Sequence, residues 1–380
     1  MRVGQTTNRA MKRIPLLLAV CVLALLSLGF VMLYSVSPVQ ESTRFLSRQL
    51  VAGALGLAGA ILVIWIDYRR LRPVAWVLLG LALGLLVAVL VVGVRVNGAR
   101  RWFRLAGFQF QPSDFVKLAL LVALAHYGAC HQRLMRTFRW GILWPALMVS
   151  SLVGLVFLEP DWGTALLLGA VGVVVLLVAG VRWLYLAPPL VLGVGAVALL
   201  LALNPLRSER VYSWLHLEET RRDVGYQAWQ AQVALSAGGP TGVGLNQSRL
   251  KALLPEYQTD FLFAIICEEF GFAGSLTVVA LFLLFFVTGM VAAARAPDTF
   301  GRLLGTGISF LIALQALINI GVVSSALPNK GLALPFISYG GSNLMIMLVG
   351  AGVLISIARA ASATSEVENA APPVGAFPGT

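Results

Sequence analysis

Charged side chains are scarce in this chain, at 12% of its 380 residues against about 25% in a soluble domain. So little charge excludes an ordinary water-soluble globule. With 59% hydrophobic residues and a mean hydropathy of +0.87, the bulk of the chain belongs in lipid. Cysteine and histidine are scarcer still, at three each. Cys21, Cys130 and Cys267 fall in apolar segments and never reach ligand spacing with His126, His131 or His216, so neither a disulfide framework nor a Cys/His metal site is indicated. Acids are outnumbered, 16 against 28 bases, for a net charge of +12. The bases lie in short clusters between apolar runs, which fits loop charges facing anionic head groups and not a nucleic-acid partner.

What is abundant is the long apolar run. A bilayer needs about 20 apolar residues per helix. Runs of that order occur near 14–34, 49–66, 72–93, 113–130, 142–158, 162–180, 183–204, 260–294, 303–327 and 341–358. The first follows Arg2, Arg9, Lys12 and Arg13 and is too long for a cleaved signal, whose core is about 7 to 15 residues, so it reads as an uncleaved helix. The expected fold is an all-α polytopic membrane protein of about ten transmembrane helices. Residues 1–13 form an inner N-terminus, 14–360 a single transmembrane domain, and 361–380 a small, Pro-containing tail expected to be disordered.

Arg69, Arg70, Arg72, Arg133, Arg136, Arg139, Arg182, Arg295, Arg302 and Arg359 fall on the side of the N-terminus, which the positive-inside rule makes cytoplasmic. Each side carries the same number of bases, so distribution and not count orients the chain. The outer bases concentrate in 94–117 and in a long polar loop, 205–255, between the seventh and eighth helices. Bases gathered there against the usual bias suggest an anionic ligand outside.

The stretch PEYQTDFLFAIICEEFGFAG (255–274) carries Glu256, Asp260, Glu268 and Glu269 into an apolar run. As a helix it aligns Asp260, Ala264, Cys267 or Glu268, and Gly271 on one face, with an acid at the mouth of a membrane helix. Asp260 is the candidate for chemistry. In NGARRWFRLAGFQFQPSDFVK (97–117), Arg100, Arg101 and Arg104 flank Trp102 and Phe103. That pattern suits an interfacial aromatic belt or phosphate capture. Ser113 suits a helix cap, Asp114 the first turn, and Lys117 lies one turn into the membrane. Glu159-Pro160-Asp161 makes an outer hairpin in which Asp161 can cap the next helix or wall a cavity. In NIGVVSSALPNKGLALPFISYGGSN (319–343), prolines and glycines break an apolar run, and Lys330, Ser338 and Tyr339 add polar groups; broken backbone at membrane depth lines a cavity or is buried in protein. The run Gly238-Gly239-Pro240-Thr241-Gly242-Val243-Gly244 lacks the Lys-Ser/Thr of a phosphate loop and reads as backbone turning.

These stretches, with FLEPDWGTALLL and DVGYQAWQAQVALSAGGPTGVGL, together resemble the SEDS (shape, elongation, division, sporulation) family in order from 14 to 359. Asn97-Gly98-Ala99-Arg100-Arg101-Trp102, Glu159-Pro160-Asp161 and Leu327-Pro328-Asn329-Lys330-Gly331-Leu332 are closer to its division-type FtsW group than to its RodA-type elongation group. Asn246-Gln247-Ser248, Tyr257-Gln258 and Asp114 depart from the usual pattern. The resemblance implies a peptidoglycan glycosyltransferase that joins lipid II at the outer face of the bacterial cytoplasmic membrane. It further implies both termini inside, a class B penicillin-binding transpeptidase as partner, and other divisome proteins nearby. Such chemistry needs a base, for which Asp260 serves, and cations for a pyrophosphate, for which Lys117, Arg101 and Arg210 serve. Trp102, Asp161, Glu256, Lys330 and Ser338 complete the expected substrate-binding set. A divalent cation such as magnesium at the pyrophosphate is compatible with the carboxylates at hand, though no spacing requires it. The competing readings are a lipid II flippase or other transporter, a RodA-type elongation polymerase, and a scaffold without chemistry.

Overall fold

The structure is a computed structural model that describes residues 2–36, 43–96, 98–105, 108–254 and 257–370. Seven apolar helices come first: α1 (Arg2–Val36), α2 (Thr43–Ile66), α3 (Ala75–Val92), α4 (Pro112–Cys130), α5 (Trp144–Leu158), α6 (Trp162–Val178) and α7 (Trp183–Leu203). Three short helices, α8 (Pro205–Leu215), α9 (Tyr226–Ala237) and α10 (Leu250–Leu253), occupy the long polar loop. The bundle closes with α11 (Leu262–Ala294), α12 (Thr299–Val323) and α13 (Gly341–Ala370). Among the described residues, nine helical segments are long and apolar enough to span a membrane, α5 reaching that length through the π-helical turn Arg139–Leu143 that runs into it, and α6, at 17 residues, is the tenth apolar helix. At 1.5 Å per residue α6 reaches about 26 Å, just short of the hydrocarbon core. It packs against α4, α5 and α12, so neighbouring protein covers most of it.

The centre of the bundle is α4, α11, α12 and α13, with α13 also laid along α2 and α1. Small residues permit these approaches: a β-carbon at Gly29 would meet the backbone of Ile337 at 2.8 Å, and one at Gly352 would meet that of Ala60 at 2.7 Å. Apolar side chains on the outside, such as Trp65 at 84% exposure, face lipid and not water. The helix α7 is the least attached, with Leu186 its one buried residue, and it touches mainly α8.

Between α3 and α4 the chain forms a feature outside the helical expectation, a three-stranded antiparallel sheet. Its strands are β1 (Val94–Val96), β2 (Ala99–Leu105) and β3 (Phe108–Phe110), paired in that order. The Asn97-Gly98 dipeptide between apolar-polar alternations is the hairpin signal that predicts it, and Gly98 sits at φ +80°. The sheet carries Arg101 and Trp102 over the end of the bundle.

The helix α11 begins at Leu262, with Phe261 in the cap position, so Asp260 precedes the helix and does not share a face with Ala264 and Glu268. This corrects the helical alignment expected from the spacing. The backbone carbonyl of Asp260 instead accepts from Asn319 Nδ2 at 2.9 Å, which holds the turn against α12. Farther along, α11 breaks at Gly271 (φ +64°, ψ −159°). There the loop glycines meet it backbone to backbone: Val243 N donates to Glu268 O at 2.9 Å and Phe272 N to Gly239 O at 2.8 Å. A β-carbon at Gly242 or Gly271 would overlap that opposing backbone, so the glycine run turns the chain and also allows it to dock.

Candidate functional site

At one end of the bundle an open cavity of about 500 Å³ lies where the start of α2, α4, β2, the α5–α6 hairpin, the turn before α11, the broken segment 324–340 and the start of α13 converge. Five of the predicted residues line it: Asp260, Lys117, Arg101, Trp102 and Asp161. Arg210 lines a second cavity of about 230 Å³, to which Asp260 also contributes. Lys330 and Ser338 lie off both linings. Ser338 is buried and its Oγ accepts from Leu334 N at 3.0 Å, so it shapes the broken segment. Burial also pushes the Lys330 ammonium pKa down. Glu256 lies outside the described residues, as do 371–380 of the tail.

Lys117 is 2% exposed, and its three donors are all engaged: Asp114 Oδ1 at 2.9 Å, Asn343 Oδ1 at 2.9 Å and Gln315 Oε1 at 3.1 Å. Asp114 Oδ2 accepts from Ser342 Oγ at 2.6 Å, and Gln315 Nε2 donates to Ala333 O at 2.7 Å. One ammonium thus ties α4, α12, the broken segment and α13 together.

Arg101 donates from Nε to Glu159 O at 2.6 Å and from Nη2 to Pro160 O at 2.7 Å, clamping β2 to the α5–α6 hairpin. Its other N–H groups remain for a ligand. Asp161 caps α6, accepting from Thr164 N at 3.1 Å through Oδ1, while Oδ2 accepts from Gln111 Nε2 at 3.0 Å. The cap and the cavity wall are therefore one residue. Ser113, expected as the cap of α4, lies inside its first turn; Gln111 holds the cap position. Glu159, beside Asp161 in the hairpin, is fully buried, and neither carboxylate oxygen has a hydrogen-bond partner. Burial, reinforced by Asp161, pushes its pKa up to about 8, so it is largely neutral at pH 7.

Arg48 is the residue that sequence reading passed over. It lines the large cavity from α2, and among the described residues its side chain makes no hydrogen bond or ion pair. Sitting about one turn inside α2 and four residues after Arg44, an arginine leading into an apolar run was the available signal.

The other two acids of 255–274 do structural work. Glu269 pairs with Lys251 at 3.0 Å and accepts from Ser35 Oγ at 2.9 Å, all three buried. Glu268 accepts from Ser248 Oγ at 2.5 Å and Arg249 N at 3.0 Å. They fasten the loop near α10 to α11. Among the described residues no three His, Cys, Asp or Glu side chains converge as a metal cluster.

Comparison with known proteins gives a consistent answer. The family model described as "Cell cycle protein", covering FtsW, RodA and SpoVE, matches residues 15–363. A relative in Trichlorobacter lovleyi named "Probable peptidoglycan glycosyltransferase FtsW" is 40% identical, over 90% of this chain and 92% of its own. The "Stage V sporulation protein E" of Bacillus subtilis is 38% identical over 90% of this chain and 96% of its own. Among solved structures, a chain from a study titled "Structural coordination of polymerization and crosslinking by a peptidoglycan synthase complex" matches with TM-score 0.76 and 35% identity, covering 90% of this chain and 97% of that one. The Thermus thermophilus rod shape determining protein RodA matches with TM-score 0.68 and 33% identity, covering 90% and 95%.

Proposed function

The chain belongs to the FtsW/RodA/SpoVE family of cell cycle proteins, and from that premise we propose that it is a peptidoglycan glycosyltransferase that polymerises lipid II in cell division. It works at the outer face of the cytoplasmic membrane, with both termini inside and a class B penicillin-binding transpeptidase as partner. The single transmembrane domain, 14–360, carries the site, and 361–380 is a cytoplasmic tail. The observation that carries the reading is one cavity lined by a carboxylate, Asp260, together with Lys117, Arg101 and Arg48.

Joining two lipid II units requires a sugar hydroxyl to attack an anomeric carbon. Asp260 takes the hydroxyl proton as the new C–O bond forms. The bond from that carbon to the polyprenyl pyrophosphate breaks, and its electron pair leaves with the phosphate. Arg101 and Arg48 meet the growing negative charge, Lys117 holds the cavity's shape and adds its field, and Trp102 and Asp161 wall the substrate. In a water-poor cleft such cations count for more than in bulk water. Arg210, Lys330 and Ser338 act on the margins, on acceptor or loop, and Glu256 is assigned to orienting the acceptor or the cations.

The test compares wild type with Asp260→Asn for glycan polymer from lipid II, with and without the transpeptidase, at matched protein level. Loss of a positioned base costs at least ~10²-fold. Robust polymer from the Asn variant would end the base assignment, and no polymer from wild type in any assembly would favour a transporter. The orientation has its own measurement. A cysteine introduced at Gln247 reacts with an impermeant maleimide on intact cells and one at Thr380 does not; the opposite pattern would invert the topology.

A further inference from the structure

Asp260 and Gly331 line both cavities, so the two spaces meet at the carboxylate proposed as base. Their chemistries differ. The larger holds the cations Lys117, Arg101 and Arg48. In the smaller, Arg210 is the one cation among the described residues, and apart from the shared Asp260 the rest of its polar side-chain lining is amide, hydroxyl and indole: Gln227, Asn329, Ser213, Ser325 and Trp214.

Three details mark the smaller space as more than a gap between loops. Asn329 Nδ2 donates to Gln227 Oε1 at 3.4 Å, long for an amide pair, so both amides keep hydrogen-bonding capacity. Ser325 Oγ is buried without a partner, on a residue held at φ +58°, a conformation serine adopts infrequently. The Trp214 indole N–H donates to Ser325 O at 2.8 Å, which fixes the ring in place. Convergent amides, a spare hydroxyl and an immobilised indole are the groups that hold a saccharide, hydrogen-bonding its hydroxyls and packing on its ring face. At about 230 Å³ the space is of the order of one sugar residue.

The reaction geometry gives this a role. When a sugar hydroxyl displaces a leaving group from an anomeric carbon with inversion, nucleophile and leaving group lie on opposite faces of the ring, with the base on the nucleophile's side. A base at the junction of a cation-lined space and a saccharide-lined space meets that requirement. We propose that the smaller cavity is the acceptor-sugar subsite, in which Gln227, Asn329 and Ser325 orient the attacking hydroxyl toward Asp260. The sugar that loses its pyrophosphate occupies the larger cavity. This rests on the glycosyltransferase reading above.

The experiment separates the two substrates. One lipid II analogue has its acceptor hydroxyl capped by an extra sugar and serves only as donor. The other has a non-cleavable phosphonate in place of the sugar–phosphate oxygen and serves only as acceptor. Full-length protein in complex with its transpeptidase joins one of each, and KM is read for each in turn. Asn329→Leu with Gln227→Met keeps volume and removes hydrogen bonding. It is expected to raise the acceptor KM about tenfold or more, the scale of one or two lost hydrogen bonds, with the donor KM within about twofold of wild type. Ser325→Ala removes a buried hydroxyl that has no partner in the protein, so it does not lower the unfolding temperature and raises the acceptor KM several-fold. Equal changes in both KM values, or none, at an unchanged unfolding temperature, would overturn the acceptor assignment while the glycosyltransferase reading stands. Absence of coupled product from wild type would overturn both.

Discussion

Gly331 stands so close to Asp260 that a β-carbon at position 331 would lie 2.5 Å from Asp260 Oδ2. The glycine comes from the broken segment after α12 and the acid from the turn before α11, 71 positions earlier in the chain by their numbers. What brings them together is Asn319, whose Nδ2 donates both to Asp260 O at 2.9 Å and to Leu332 O at 2.7 Å.

Gly331→Ala is therefore expected to displace the Asp260 carboxylate without unfolding the protein. Gly331 is not in the left-handed region, so its backbone accepts alanine, and the atom in the way is the end of a side chain that can turn aside. A misplacement on the order of 1 Å costs about 10²-fold in rate. Polymer yield at an unchanged unfolding temperature is the measurement, and near-normal polymer would mean that Asp260 tolerates the shift and is not the base.

Lys117→Met carries a stability cost that its helix propensity does not forecast. It leaves Asp114, whose side chain is 7% exposed, without its ion-pair partner, a loss of ~3 to 5 kcal/mol for a buried pair. Adding Asp114→Asn removes the stranded charge and is expected to restore much of the unfolding temperature. If the double variant also polymerises lipid II normally, Lys117 is a structural cation alone.

Glu159 makes folding stability depend on pH in a stated direction. Its ordinary value is 4.5 and its folded value about 8, so between those limits the folded chain holds a proton that the unfolded chain has released. Stability contributed by neutral Glu159 is complete below about 4.5 and declines as pH rises to about 8, above which it levels off. Glu159→Gln is expected to flatten that slope. Unfolding of both proteins in detergent from pH 5 to pH 9, by the difference between them, checks it, and parallel curves would refute it.

Gly271→Ala tests the docking of the long loop. An alanine there meets the backbone of the 238–244 run in a left-handed conformation, so the loop is expected to lift from α11. Limited proteolysis within 205–254 quickens, while the apolar helices stay protected. Lys251→Met, which breaks a buried pair with Glu269, acts in the same direction.

The sequence by itself determined the membrane architecture, because spanning helices are dictated by run length and apolarity, local quantities that need no tertiary contact. It also determined the family, and it identified Asp260 and Lys117 as charges out of place in an apolar setting. The hairpin of β1 and β2 was missed, although Asn97-Gly98 carried its signal. What only the tertiary structure decided is which charges meet. Glu268 and Glu269 stand eight and nine positions after Asp260 in the same stretch, yet they are buried fastenings to Ser248, Arg249 and Lys251, while Asp260 opens on two cavities. Arg210 and Lys117, alike as outer cations, fall in different cavities, and Arg48 from α2 joins the larger one. The reason is that a charge in a low-dielectric setting takes its role from the groups that neutralise it or hydrogen-bond to it, and hydrogen-bonding partners brought from more than 200 positions away, as Ser35 is to Glu269, are chosen by packing.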